Sequence, residues 1–162
     1  MIIFVMRHGE AEPYKQDDMS RHLTSFGRTQ AEHAAKWMQN GILKNTTLSG
    51  VDLALISPYV RTQETAASVS KFLEITSSVS SPMLTPNQEA GSTHDWIDGH
   101  LIEQDNISSL LIISHMPLVS LLSDSLCHGF NARIFDTADV LMIDYDKAKH
   151  SGRQLSFYQS LT

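Results

Sequence analysis

The sequence predicts a single α/β domain over residues 1–162, built on a largely parallel central sheet. Three observations predict it. Apolar runs at 2–6, 51–56 and 110–113 have the length and boundaries of buried strands. Each is followed by a stretch whose apolar residues recur at helical spacing, the alternation of successive βα units. The chain is long enough for one real core, and its 41% hydrophobic and 19% charged composition is ordinary for a globular protein.

Taken in order, the run Ile2-Ile3-Phe4-Val5-Met6 leads directly into Arg7-His8-Gly9. A polar stretch over 11–22, with Pro13 and Asp17-Asp18, reads as an exposed loop. Thr24 is the predicted N-cap of a first helix, whose buried face carries Ala31, Ala34, Ala35 and Met38, with Asn40-Gly41 as its stop. The second run, 51–56, ends at Ser57-Pro58. Pro58 suits the first turn of a helix lined by Ala66, Val69 and Leu73. Val79 marks a short edge strand near Pro82. The turn-rich segment 85–93 reads as a mobile loop, with Thr93 capping a short helix that carries Trp96, Ile97 and Leu101. The third run, 110–113, ends in Ser114-His115. It leads into a helix with Leu118, Leu121, Leu122 and Leu126 on one face, closed by Gly129. The segments 140–145 and 155–158 read as a terminal hairpin, an antiparallel edge on an otherwise parallel sheet.

The bulk properties exclude several classes. A net charge of −6 argues against a general nucleic-acid binder. One cysteine, Cys127, allows neither an intrachain disulfide nor a thiolate metal cluster, in keeping with a reducing compartment. The N-terminal apolar run is too short for a membrane span and lacks the basic start of a signal peptide. The expectation is a cytoplasmic protein, without membrane or nucleic-acid partners, and monomeric by default.

The chemistry lies at the strand ends. In a parallel sheet the ends of the three runs share one edge, the edge at which open α/β sheets bind ligands. Topology therefore converges Arg7 and His8 from the first run, Arg61 from just beyond the second, and His115 from the third. Two forked guanidiniums match the oxygens of a phosphoryl group. Helices starting after Ser57-Pro58 and His115 would add N-terminal dipoles favourable to an anion. The remaining histidines, His22, His33, His94, His100, His128 and His150, read as solvated or structural. None has an evident carboxylate partner, and His22 is kept as a neighbour of the pocket.

Arg7-His8-Gly9 after an N-terminal strand resembles the signature of the histidine phosphatase superfamily, the phosphoglycerate-mutase-like fold. Leu23-Thr24-x-x-Gly27-x-x-Gln30-Ala31 is similar to the family's first-helix motif, and Ser57-Pro58-x-x-Arg61-x-x-x-Thr65-Ala66 to its second phosphate-binding motif. Ile113-Ser114-His115 stands where the family has its second histidine. The short chain, with Met6-Arg7-His8-Gly9-x-Ala11, Arg21-x-Leu23-Thr24, Leu84-Thr85-Pro86 and Ile113-Ser114-His115-x-Pro117-Leu118-Val119, resembles the small bacterial SixA-type phosphohistidine phosphatases. The resemblance implies a three-layer domain with helices on both faces of the sheet and a covalent mechanism. In it, His8 is the nucleophile and becomes a transient phosphohistidine. Arg7 and Arg61 clamp the phosphoryl group, His115 contacts it from the other side, and Arg21 reaches the phosphate or the substrate. Gly9 supplies the carbonyl that orients His8. No metal or other cofactor is implied. The implied partner is a phosphorylated histidine-containing phosphotransfer domain or a phosphocarrier protein.

His8 must be neutral to attack. Its ordinary pKa is about 6.5, and two nearby arginines are expected to lower it. The departure from the wider family concerns the acid. Larger members protonate a leaving alkoxide with a carboxylate, whereas the corresponding region here, 84–91, holds only Glu89, outside the usual motif. A sugar alkoxide, comparable to water with its pKa of about 15.7, needs that proton far more than imidazole does. The pattern therefore favours cleavage of a nitrogen–phosphorus bond, with Glu10, Glu12, Asp18 and Glu89 as the carboxylates that could still act as acid. Two alternatives stand beside it: a phosphatase for small phosphomonoesters, and a non-catalytic module that docks phosphoproteins.

Overall fold

The computed structural model describes residues 1–14 and 16–162; position 15 of the loop expected over 11–22 lies outside the described residues. Six strands form one sheet: β1 (Ile2–Arg7), β2 (Val51–Ile56), β3 (Ile75–Ser80), β4 (Ser109–Ser114), β5 (Val140–Asp146) and β6 (Ser151–Tyr158). Their order is β3-β2-β4-β1-β5-β6. The β3, β2, β4 and β1 strands run parallel, and β5 and β6 add the antiparallel edge expected of the terminal hairpin.

Helices cover both faces. In β1, Ile2, Phe4 and Met6 pack with Ala31, Ala34 and Met38 of α1 (Ser25–Asn45) and Val69 of α2 (Val60–Val69). Ile3 and Val5 face the opposite layer. There they meet Ile97 and Leu101 of α3 (Ala90–Glu103) and Leu118, Leu122 and Leu126 of α4 (Leu118–Leu126). Because both faces of the strand are buried, side chains of period two are apolar at every position. The uninterrupted run 2–6 is this three-layer arrangement written in sequence.

The register places the three strand ends side by side. Arg7 pairs with Ser114, and Ile56 with Ile113. His8 N–H continues the ladder to the Ser114 carbonyl (3.1 Å), and Ser57 N–H to that of Ile113 (3.1 Å). The antiparallel β5 starts at the same edge, since Met6 pairs with Val140. The loop leading into β5 therefore borders the strand ends.

Several expected boundaries move. Helix α1 does not stop at Asn40-Gly41. Gly41 sits against the sheet, where a Cβ would lie 3.3 Å from Met142 Sδ, so this glycine serves close packing. The helix ends at Asn45, where the Asn45 side chain donates to the Gly41 carbonyl (2.8 Å) and Thr46 Oγ1 to that of Ile42 (2.7 Å). Helix α2 starts at Val60, with Tyr59 extended before it, rather than at Pro58. Helix α3 begins at Ala90, not after Thr93. Glu89 is its cap, accepting from Gly91 N–H and Ser92 N–H at 2.8 Å each. Thr93 lies inside the helix and donates to the Met83 carbonyl (2.8 Å), so the segment 85–93 is largely tied down. On α4, Leu121 is exposed rather than buried with its neighbours, and the helix ends at Leu126. Gly129 (φ 78°) serves the turn that follows. Among the described residues no helix is long and apolar enough to cross a membrane.

The turn after β1 packs backbone to backbone on the start of α1. Thr24 caps that helix through Gly27 N–H (2.9 Å), and Thr24 N–H donates to the Glu10 carbonyl (3.0 Å). A Cβ on Gly27 would collide with the Glu10 carbonyl, and one on Gly9 with the Gly27 carbonyl. Gly27→Ala must therefore push the 8–10 turn off the helix. Overpacking of this kind costs about 1–3 kcal/mol. We expect denaturant unfolding to register that loss together with reduced activity, because His8 rides on the same turn. A variant of wild-type stability would refute the contact.

Candidate active site

The strand ends bring His8, Arg7, Arg61 and His115 together, as the topology requires. His8 is 5% exposed. Its Nδ1–H donates to the Gly9 carbonyl (2.7 Å), which leaves Nε2 as the ring's acceptor. Arg61 Nε–H donates to that Nε2 (3.2 Å). The two bonds define one tautomer, with the Nε2 lone pair turned toward the guanidinium. The turn itself is tied to α2 by Gly9 N–H donating to Thr65 Oγ1 (3.1 Å), which gives Thr65 a part in holding the nucleophile's turn beside Arg61.

Arg61 lies in the first turn of α2, packed 4.9 Å from the Tyr59 ring. Its other two nitrogens are held by one residue: Nη1 donates to the Asp18 carbonyl (2.8 Å) and Nη2 to the Asp18 carboxylate (3.2 Å). The same carboxylate accepts from Arg21 Nε (2.8 Å), and Arg21 Nη1 reaches the Glu12 carbonyl (2.8 Å). Arg21 is thus joined to the centre through Asp18 rather than through His8. Two guanidiniums this close repel, and Asp18 offsets the repulsion.

Arg7 approaches from the other side. Its Nη1 donates to the Phe135 carbonyl (2.8 Å), while its backbone N–H donates to Asp139 and Ala138 N–H donates to the His8 carbonyl. The loop before β5 is therefore part of the site's wall, which the sequence did not reveal: Phe135 acts through its backbone, so its residue type is no signal. Ser57 is a second residue missed as a contact. His115, fully buried, pairs through Nε2 with Ser57 Oγ (2.7 Å), and its ring lies 5.2 Å from that of His8. Arg7 Nε and His115 Nδ1 are buried with no protein hydrogen-bond partner among the described residues.

Burial is the largest influence on His8, pushing its pKa down to about 3; the Gly9 carbonyl opposes this, and Arg61, Arg7 and Arg21 add to it. The sequence anticipated the arginines but not the dominance of desolvation. His115 is lowered to about 2, by burial first and then by its neighbours His8, Arg61, Arg7 and Arg21. Arg7 and Arg61 are also lowered, chiefly by burial, yet start from 12.5. Both histidines take up protons near pH 6.5 only when the chain unfolds. The unfolded chain then binds more protons than the folded one, so stability falls as pH drops below about 6.5. We expect the melting temperature to decline from pH 7 to 5, and to decline less steeply in His115→Gln. An unchanged slope in that variant would contradict a buried neutral His115.

The four candidate acids are all engaged. Burial alone would raise Asp18, but Arg61 and then the hydrogen bonds from Arg21 and Arg61 outweigh it and hold the carboxyl ionised. Glu89 caps α3, and bonds from Gly91, then Ser92, lower it. Glu10 accepts from Thr24 Oγ1 (2.8 Å), and Glu12 from His22 N–H (3.0 Å). Three of the other histidines have carboxylate partners, contrary to expectation: His22 pairs with Glu64 (3.1 Å), and both His94 (3.4 Å) and His150 (3.1 Å) with Asp98. The His94–Asp98 pair is an i,i+4 spacing within α3 and is legible in the sequence; the other two arise only because folding brings the β5–β6 turn beside α3 and His22 beside α2. Among the described residues no group of three or more His, Cys, Asp or Glu could hold a metal ion.

Comparison with known proteins agrees with this geometry. Residues 3–83 match the histidine phosphatase superfamily (branch 1). The chain is 33% identical over 152 residues to the phosphohistidine phosphatase SixA homolog of Haemophilus influenzae, spanning 92% of this chain and 91% of that protein. It is 29% identical over 149 residues to the phosphohistidine phosphatase SixA of Escherichia coli, spanning 91% and 88%. The solved structure of the protein histidine phosphatase SixA complexed with tungstate superposes with a TM-score of 0.86 at 28% identity, over 98% of this chain and 97% of that one. The motif residues, the shared strand-end edge and these near-full-length matches have one explanation: the chain belongs to the histidine phosphatase superfamily, in its SixA-type group.

Proposed function

We propose that this protein is a phosphohistidine phosphatase acting on a phosphorelay or phosphocarrier protein, with His8 as a covalent nucleophile. The observation that carries the reading is the state of His8. The ring is buried, neutral, fixed in one tautomer by Gly9, and turned with its free nitrogen toward Arg61. In the first step Nε2 attacks phosphorus. The bond from phosphorus to the substrate's ring nitrogen breaks, and that nitrogen keeps the electron pair, so that a ring already protonated on its other nitrogen leaves as neutral imidazole. Water then attacks the phosphohistidine formed on His8 and releases inorganic phosphate, with Nε2 recovering its lone pair. Arg61 passes its Nε–H from His8 to a phosphoryl oxygen as the substrate enters. Arg7 and His115 supply further donors, and Arg21 reinforces Arg61 through Asp18. The charge of the arginines supplies transition-state stabilisation without a metal.

The engaged carboxylates support an N–P bond over an ester. An ionised Asp18 cannot give up a proton, and Glu89 is committed to a helix cap. Imidazole leaves without strong acid assistance because its conjugate acid has a pKa of about 6.5. The relatives named phosphohistidine phosphatase point the same way.

The test is phosphate release from a phosphohistidine protein compared with release from sugar phosphates. Preference for the phosphohistidine protein is expected, with Glu89→Gln as active as wild type. Preference for the esters, together with loss of activity in Glu89→Gln, would assign the chain to phosphomonoesters instead. Stable binding of the phosphoprotein without release would make it a docking module.

A further inference from the structure

The proposed reaction requires a folded protein to deliver a phosphohistidine to a nucleophile that is only 5% exposed. Such a partner must cover the rim of the strand-end edge. Two segments at that rim, one following β1 and one leading into β5, each present a large apolar side chain to solvent directly beside a residue bonded to a site arginine. Met19, 51% exposed, follows Asp18, which holds Arg61 and Arg21. Ile134, 72% exposed, precedes Phe135, whose carbonyl holds Arg7.

Single exposed apolar side chains are common and need no explanation. These two differ in being fixed. Met19 sits in the 3-10 turn Asp18–Ser20, anchored by Arg61 and by Ser20 Oγ–H donating to the Asp17 carbonyl (3.1 Å). Ile134 is pinned on both sides. Ser120 Oγ–H donates to the Arg133 carbonyl (2.7 Å), and the Arg133 guanidinium lies 3.7 Å from the centre of the Phe157 ring. On the other side Arg7 holds the Phe135 carbonyl, and Asp136 N–H donates to Asp139 Oδ2 (2.8 Å). Backbone and side-chain hydrogen bonds thus hold an isoleucine out in water, one residue from the carbonyl that binds Arg7. A preorganised apolar side chain costs little entropy when a partner covers it, which is the property of an interface anchor.

We infer that Met19 and Ile134 are paired docking anchors for the phosphohistidine-bearing face of a protein partner, one whose surface is apolar around the phosphorylated residue. The inference rests on the phosphohistidine reading. Its occupant follows from position, since the rim is continuous with the recess and only what delivers the phosphoryl group covers both. Apolar contact on both sides also drives water from the recess, where it would weaken the arginine–phosphoryl contacts. A small substrate would bind the arginines and leave the two anchors untouched.

The experiment compares wild type, Met19→Ala, Ile134→Ala and the double variant on two substrates, neutral truncations that add no charge beside the arginines. One is a histidine-containing phosphotransfer domain phosphorylated on its histidine, and the other is free phosphohistidine. Both side chains are exposed, so the variants are expected to fold, and circular dichroism checks this. On the phosphorylated domain each single variant should lose about tenfold in kcat/KM, mainly through KM, the scale of a significant interface contact. On free phosphohistidine all should remain within about twofold of wild type. Equal losses on both substrates would mean that the residues act through the site's own structure, and no loss on either would mean that the rim does not dock; both outcomes overturn the inference. A wild-type dimer separated by Ile134→Ala would give the rim to a second copy and overturn it as well. If wild type itself releases no phosphate from the domain, the function reading fails first, and the inference falls with it.

Discussion

His8→Ala is expected to reduce phosphate release to the uncatalysed background while the protein still folds. The imidazole is the one group whose lone pair faces the arginines in a defined tautomer, and an alanine has nothing to attack with. The fold should tolerate the change, because His8 lies at the end of β1, outside the two apolar clusters, and its removal leaves unpaired only the Gly9 carbonyl and Arg61 Nε. A substrate labelled on its phosphoryl group gives a second readout. Acid-labile, alkali-stable label should appear transiently on wild type and never on His8→Ala. Turnover by the variant, or label on it, would move the nucleophile elsewhere.

Arg61→Ala is the second large effect. Among the described residues Arg61 is the arginine hydrogen-bonded to His8 Nε2, so its guanidinium stands where charge develops as the phosphoryl group transfers. Losing one such donor typically costs about 10²–10³-fold in rate. The variant also releases Asp18, whose carboxylate then faces the incoming phosphoryl group with Arg21 as its remaining partner among those described. We therefore expect kcat to fall by at least that range and KM to rise. Arg61→Lys should recover little, since a single ammonium cannot bond His8 and both Asp18 oxygens from one planar fork. Because Asp18 is partly exposed, it can rehydrate, and stability should change far less than activity. Near-normal turnover in Arg61→Ala would remove Arg61 from the mechanism.

Sequence and structure agree most closely where the signal is local. Residues 2–6, 53–56 and 110–113 are apolar because both faces of their strands are buried, and Thr24 caps a helix through an atom three residues away. They part at positions whose meaning depends on what folds against them. Gly41 looked like a helix stop until the sheet beneath it was known. Glu89 looked like a possible acid until it became a cap, and Leu121 looked like core until its face of α4 proved open.

By itself the sequence determined the α/β alternation and the convergence of Arg7, His8, Arg61 and His115. Apolar runs and the residues that end them are short-range patterns, and a parallel sheet carries those ends to one edge. Only the tertiary structure decided how the four are held. Asp18 bridges Arg61 from 43 residues away, the Phe135 carbonyl reaches Arg7 across 128, and burial rather than charge dominates the lowering of the His8 pKa. Hydrogen bonds from distant backbone, and the loss of water around a ring, belong to the packed chain, and no spacing along the sequence encodes them.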